Sequence, residues 1–490
     1  MNKIAIVFDI GASNVRVVAI DTMGTILAID SKPNEVDYDP YFDGGKIWDI
    51  DKLWLKLADS SKKVMKKIDA KNVVGITITT FGVDGAFIDK SGEMLYPVIS
   101  WQCSRTENMI SKIENKISLE KIYSESGVYP YDFNTINKFI WFKENRSDII
   151  EKADKFLFMP SLLAYKLTGV AKNDYTMIGT SMMNDLAQRD ISSKIFEALD
   201  ISESIFGEFG EAGDLVGAIT KSASKETGLP ENLPLYLAGH DSQFAVFGSG
   251  AELNQPVVSS GTWEVMLSRS GAFDSSQSSL DLSLTTEADA ISGVYNIGQN
   301  WLGSGVLEWF AKHFYPNLSG DALYEKMISD AEKVEPGSGG IMVNPAFYDD
   351  GLSSKGGVIS GLTLDTKPEM LYRAFLEGLS FRMREGLEAI ENAGSFKAEK
   401  IICVGGGSRN RLWNQIRADV AGIPVVTISQ KETTVLGASF FVFAGADKSK
   451  NIEYFRNKIN YSPKIIEPSE NKKLYDKLYR RDRRPSVLHK

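Results

Sequence analysis

The sequence predicts an α/β protein of at least two domains, on three observations. At 490 residues the chain is too long for one core. Short β-branched apolar runs alternate with stretches of helical periodicity. A strand–turn–strand unit whose turn combines Gly with Ser, Thr or Asn opens the chain and recurs midway, as an internal repeat.

Lys3 to Phe8 reads as a strand, DIGASN as a turn and VRVVAI as a second strand. After another turn at Asp21 to Gly24, TILAID completes an antiparallel meander. Ile50 to Ile68 has helical period, with Leu53, Leu57 and Val64 on one face. Val73 to Thr79 is a strand, and helices and loops fill most of Ser111 to Ala212. The apolar run Leu233 to Ala238 leads into GHDS, and Ala238 to Gly250 reads as a crossover. PVVSSGTWEVMLS then repeats the opening pattern. IICVGGGSRNRLWNQIRADVAGIPV reads as strand, glycine loop, amphipathic helix and strand. The second core is expected to end near Gly445, leaving a charged, helix-like tail that closes on RRDRRP and reads as a solvated surface segment.

Composition removes several classes of function. An apolar content of 43% and a charged content of 24% are ordinary for a soluble globular protein, and a net charge of −9 argues against a general nucleic-acid binder. Two distant cysteines, Cys103 and Cys403, make no disulfide framework and fit a reducing compartment. No apolar run has the length of a membrane span, and the N-terminus reads as a first strand rather than a signal peptide, so a cytoplasmic protein is expected. The three histidines, His240, His313 and His489, form no metal-ligand pattern, which argues against zinc. No G-x-S-x-G elbow and no G-x-x-x-x-G-K-[ST] loop occur, and GGGSRN places Asn410 where a dinucleotide fingerprint has its last glycine.

What remains points to phosphoryl transfer onto an alcohol. Asp241 in GHDS is a carboxylate in a Gly-bounded turn, able to take a proton from a hydroxyl. The competing reading makes it the N-cap of a helix starting near Ser242. His240 beside it shapes that site rather than relaying protons. The turn Ser259 to Thr262 can offer backbone N–H groups and a hydroxyl to a phosphate. DIGASN offers the same cradle, with Gly11 admitting close approach and Asp9 placed for a metal such as Mg²⁺. Taken singly, DIGASN is as readily a plain hairpin turn, and GGGSRN a strand-to-helix loop.

Together, DIGASNVR, TTFGVDGAFID, YPVISWQCSRT, AGHDSQFA, SSGTWE and VGGGSRNRLWNQI, in this order over Lys3 to Gly445, resemble the FGGY family of carbohydrate kinases, and within it the deoxyketose kinases. The resemblance implies an actin/hexokinase/Hsp70-like (ribonuclease H-like) fold of two domains. Each would have a mixed five-stranded sheet flanked by helices, with the active site in the inter-domain cleft. It places a sugar-binding domain at 1–246, a nucleotide-binding domain at 247–446, a helical tail at 447–490 and a hinge near Val246 to Asn254.

The resemblance also implies roles. Asp241 would be the catalytic base. Gly82, Asp84, Trp101, His240, Ser242 and Asn296 would meet the sugar, with core packing the alternative for Trp101. Asp9, Gly11, Ala12, Ser13, Asn14 and Arg16 would form the first phosphate loop, with Asp9 the Mg²⁺ ligand. Gly261 and Thr262 would form the second loop, and Gly405, Gly406 and Gly407 would lie against adenosine. Ala12 stands where many members have Thr, so a hydroxyl contact is lost there unless Ser13 supplies it. The implied substrates are ATP with Mg²⁺ and the 1-hydroxyl of a 6-deoxy ketose, L-fuculose or a relative such as L-rhamnulose. Neither nucleic acid nor membrane is implied as partner, and a homodimer is compatible with the sequence. A non-transferring ATP-dependent clamp on the same fold, or a sugar sensor, is the contrasting class; a sensor would lack Asp241.

Overall fold

The structure is a computed structural model that describes residues 3–347 and 356–482. From Arg483 on, the RRDRRP run lies outside the described residues, as does His489. The chain forms two compact units, neither of them one continuous stretch.

The first unit contains the described residues to Gly250 together with Gly271–Asn296 and Glu432–Asn460. The meander is present as β1 (Ile4–Ile10), β2 (Asn14–Asp21) and β3 (Ile26–Pro33), with β2 antiparallel to both neighbours. β4 (Val73–Thr80) pairs parallel with β1, and β5 (Leu215–Ala218) and β6 (Pro234–Tyr236) extend the sheet beyond it. The order is β5-β6-β4-β1-β2-β3, so this sheet has six strands among the described residues rather than five. The difference is β5, a short edge strand laid antiparallel on β6. β1 is buried along its whole length, as its unbroken apolar run requires of a strand covered on both faces.

Helix α1 (Ile50–Met65) starts where Asp49 accepts the N–H groups of Asp51 and Lys52. It stops short of Ile68 because Asp69 caps the next turn, taking the N–H of Lys71. Helix α2 (Thr135–Asn145) carries Lys138, and α3 (Asp241–Gly248) follows β6.

The second unit comprises Ala251–Ser270, Ile297–Lys431 and the described residues from Tyr461 on. Within this unit, six strands of a seven-stranded sheet, β7 (Val257–Ser260), β8 (Trp263–Ser270), β9 (Tyr295–Leu302), β10 (Ile401–Val404), β11 (Val425–Thr427) and β12 (Lys464–Ile466), follow in the order β9-β8-β7-β10-β11-β12. An antiparallel pair, two parallel steps and a final antiparallel edge strand follow one another here as they do in the first unit. The internal repeat read from two turns therefore runs through whole sheets. Helix α4 (Pro368–Ala393) packs against α5 (Arg411–Ala421).

The compact units do not divide the chain at one point. Helix α6 (Thr433–Ala446) belongs to the first unit, where it packs on α3, β1 and β4. Gly248 and Gly437 let α3 and α6 approach: a Cβ on Gly437 would collide with the Phe244 carbonyl. Nor is the tail a solvated appendage. Its strand β12 pairs with β11, and its helix α7 (Lys472–Asp482) buries Tyr475 and Tyr479. The Tyr475 hydroxyl donates to Glu377 at 2.8 Å, and Arg384 pairs with Asp476.

Among the described residues no helix is long and apolar enough to cross a membrane. Cys103 and Cys403 are both free and buried.

Candidate active site

In the first unit, β1 ends in Asp9 and Ile10, and the turn Gly11–Ser13 returns the chain into β2. The turn is held by Gly11 N–H donating to the Asn14 carbonyl at 2.8 Å and by Asn34, whose amide donates to the Gly11 carbonyl at 2.9 Å. A Cβ on Gly11 would meet nothing closer than 3.4 Å, so the chain itself does not demand glycine there. Ser13 and Asn14 are exposed, Ala12 partly so.

Asp9 is buried and paired with Arg16, whose guanidinium also reaches Glu432. Burial pushes the Asp9 carboxyl above its usual range, against the pull of Arg16. Arg16 thus spends its charge on two carboxylates. The second of these, Glu432, was not legible in the sequence.

Asp241 is the first residue of α3, and His240, with extended backbone angles, occupies the cap position. The N-cap reading of Asp241 is therefore set aside. Its side chain keeps 29% exposure, and its Oδ1 accepts from Ser242 Oγ at 3.3 Å. Desolvation pushes the carboxyl up to about 6, with the Asp9 charge adding and His240 opposing. The turn is pinned from behind: Thr80 N–H donates to the Gly239 carbonyl at 3.0 Å, and His240 N–H to Thr176 Oγ1 at 2.9 Å. The first of these places GHD beside the end of β4 and hence beside TTFG.

There Gly82 lies close to Thr180 and to the His240 ring. The next residue, Val83, has φ +65°, a rare conformation for a β-branched side chain that costs of order 1–3 kcal/mol. It is held by its N–H donating to Thr180 Oγ1 and by its carbonyl accepting from Thr135 Oγ1 and Lys138 Nζ.

Two expected sugar contacts are corrected here. Asp84 is fully buried; it pairs with Lys138 and accepts from Trp48 Nε1 at 2.7 Å and from the Trp101 backbone N–H at 3.0 Å. Burial raises Asp84 and lowers Lys138, while their contact opposes both shifts. With its oxygens so occupied, Asp84 shapes the floor under Trp101 rather than binding a hydroxyl. Asn296 is also fully buried, donating to Asp289 Oδ2 at 2.7 Å and to Gln243 Oε1. His240 stays partly exposed, with Nδ1 on Glu287 at 3.1 Å and Nε2 facing Asp241 at 3.5 Å. Trp101 differs from these: it is half-buried, packs edge-on against Phe133, and its indole N–H has no acceptor. Core packing and an unspent donor coexist in that one side chain.

In the second unit, the hairpin β7–β8 turns at Gly261 and Thr262, with Thr262 exposed. A Cβ on Gly261 would again meet nothing closer than 3.4 Å. Because β7 and β10 pair in parallel, the loop Gly405–Gly407 leaves the sheet beside this turn. Gly405 has φ +82° and lies against the Ser260 backbone, while Gly406 has nothing within 4 Å. Beneath both loops runs a buried ion pair that the sequence did not reveal, Glu264 with Arg417. Glu264 also accepts from Ser260 Oγ at 2.6 Å and from Trp301 Nε1 at 2.9 Å.

Among the described residues no group of three or more His, Cys, Asp or Glu forms a metal cage. Mg²⁺, which keeps several waters, can be held by a single protein carboxylate, and Asp9, though paired with Arg16, is the one at the Gly11 turn.

Residues 4–248 match the family described as FGGY family of carbohydrate kinases, N-terminal domain, and residues 257–445 match its C-terminal domain. Over 466 residues the chain is 40% identical to L-fuculokinase of Escherichia coli (strain K12), spanning 95% of this chain and 97% of that protein. It is 28% identical over 397 residues to the rhamnulokinase of Bacteroides thetaiotaomicron, spanning 80% of each. The solved structure of xylulose kinase from Rhodospirillum rubrum superposes with a TM-score of 0.89 at 20% identity, over 98% of this chain and 97% of that one. At that identity the last likeness is one of fold.

Proposed function

The chain belongs to the FGGY family of carbohydrate kinases, and from that premise we propose that it transfers the γ-phosphoryl group of ATP to the 1-hydroxyl of L-fuculose, giving L-fuculose 1-phosphate and ADP. As a carbohydrate kinase the chain is an enzyme and not a non-transferring clamp or a sensor. The observation that carries the mechanism is Asp241, an uncapping, partly desolvated carboxylate at the start of α3. L-Fuculose rather than L-rhamnulose rests on the greater identity to the fuculokinase than to the rhamnulokinase. A cytosolic setting, where ATP is available, suits this reaction.

Phosphoryl transfer depends on positioning and charge neutralisation more than on covalent help. Asp241 accepts the proton of the attacking hydroxyl, and Ser242 orients the carboxylate. Trp101, half-buried against Phe133 with a buried indole N–H that has no acceptor, would line the sugar site with its ring, and Gly82 would meet the sugar through its backbone. The Gly11 and Gly261 N–H groups are used inside their own turns, so a phosphate would be met by the following N–H groups with the Ser13 or Thr262 hydroxyl, and Gly405–Gly407 would lie against adenosine. Asp9 would hold Mg²⁺, whose role when bound is to neutralise charge on the ATP phosphates.

The test is a sugar panel of L-fuculose, L-rhamnulose, D-ribulose, L-xylulose and glycerol, read as ADP release. The highest kcat/KM is expected with L-fuculose. A higher value for L-rhamnulose moves the substrate to that sugar, and no ADP release with any acceptor sinks the reading.

Gly11→Ala separates a ligand cradle from a plain turn. The added methyl meets only the Asn14 carbonyl, at ordinary contact distance, so the melting temperature should stay unchanged. KM for ATP should rise about tenfold, equivalent to about 1.4 kcal/mol. An unchanged KM would leave Gly11 as a turn residue only.

A further inference from the structure

Five polar side chains behind Asp241 form a chain of hydrogen bonds with one possible donor–acceptor pattern. Asp289, on the Gly271–Asn296 excursion, can only accept, and it takes Asn296 Nδ2 at 2.7 Å. Asn296 gives the other hydrogen of the same amide nitrogen to Gln243 Oε1, which leaves Asn296 Oδ1 without a partner. Gln243 must then direct its own amide nitrogen onward, and it donates to Glu287 Oε2. Turning either amide over would set donor against donor or oxygen against carboxylate, so the network itself fixes both orientations. Asn296 and Gln243 are fully buried.

At the end of this chain stands Glu287, on the strand Thr285–Ala288, accepting from His240 Nδ1 at 3.1 Å. With Nδ1–H committed to Glu287, the ring is held so that Nε2 faces Asp241 at 3.5 Å. We propose that Glu287 is a positioning residue for the phosphoryl-transfer reaction: it holds the His240 imidazolium against Asp241 and so keeps a desolvated base ionised. The proposal rests on the assignment of Asp241 as base.

The charges around this group agree with that role. His240 faces Glu287, Asp241 and the buried Asp174; burial opposes its charge, but these carboxylates outweigh burial and raise the ring above its ordinary value. Asp241 faces His240 and, from β1, Asp9, itself paired with Arg16; of these only His240 lowers it. Removing Glu287 would take away its own negative charge, which lies beyond the ring. It would also release the imidazolium, which is nearer to Asp241. The nearer loss dominates, so the base should become harder to ionise.

The experiment compares Glu287→Gln, Glu287→Asp and the parent in two measurements. The first is the titration of the His240 ring by NMR; with three histidines in the chain, His240→Asn assigns its signals. The second is the pH profile of kcat/KM for the best sugar of the panel. In Glu287→Gln the His240 titration should move down in pH. The acidic limb of kcat/KM should move up by about one pH unit, giving about a fivefold loss near pH 6, approaching tenfold at lower pH, that is recovered near pH 8. KM for ATP should not change. Glu287→Asp, keeping the charge on a shorter arm, should fall between the two and supplies the comparison if Glu287→Gln does not fold. An unmoved His240 titration, or a loss equal at every pH, would overturn the proposal. If no sugar of the panel is turned over, the kinase reading fails by itself, while the NMR titration still tests the Glu287–His240 link.

Discussion

Asp241→Asn is expected to lower kcat by at least about 10²-fold, the scale on which a positioned general base contributes. The change keeps the shape of the side chain and removes its capacity to accept a proton. Nucleotide binding should persist, because the loops assigned to the phosphates are other segments of the chain. The parent carries a companion signature. A base works only when ionised, so activity should be full above its pKa and fall as the pH drops through about 6, where desolvation places Asp241. An ordinary aspartate would hold activity down to about pH 4. Stopped-flow or coupled-assay kinetics across pH 5 to 8, with calorimetric titration of ADP, check both. Near-parental turnover by Asp241→Asn would reduce Asp241 to a sugar ligand.

Lys138→Met should produce the largest loss of stability, about 3–5 kcal/mol, the cost of leaving a buried charge without its partner. Lys138 and Asp84 are both buried, and the ammonium also serves the carbonyl of Val83, which holds its unfavourable backbone only with such support. In a unit of this size the loss corresponds to a melting temperature lower by about 10 °C. The double variant Lys138→Met/Asp84→Asn should recover part of it, since the stranded carboxylate is gone. Thermal melts of the two variants decide the point. A single variant as stable as the parent, or a double variant worse than the single, would show that the pair does not carry this region.

The elements that the sequence announced are those whose signal is local. Short β-branched apolar runs between turns predict β1, β2 and β3, and helical period predicts α1. A turn between two strands is visible wherever Gly meets Ser, Thr or Asn, which brought Gly11 and Gly261 forward as a pair. What stayed hidden depends on chain segments that meet from afar. Glu432 reaches Arg16 across 416 residues, Arg417 reaches Glu264 across 153, and Glu287 reaches His240 across 47. A carboxylate gives no sequence signal of which cation it will meet. The same blindness explains Asp84. TTFGVD places an acid two residues after a glycine beside the site, but only the fold shows Lys138 and two tryptophans closing over it. The tail was misjudged because mean charge concealed the two buried tyrosines of α7.

Helix α6 has a consequence for how the protein is made. Its side chains are apolar on nearly every side; Val442 fits against Gly75 of β4, and Phe441 meets Phe244 of α3. The strands and helix it covers leave the ribosome first, and all of the second unit up to Lys431 must be translated before α6 emerges. During that interval the nascent N-terminal unit presents an uncovered apolar face, a natural target for chaperones that hold unfinished chains. The gene accordingly cannot be cut after Gly250 into two self-sufficient products. The earlier fragment should be insoluble alone and recover when the fragment bearing α6 is supplied beside it.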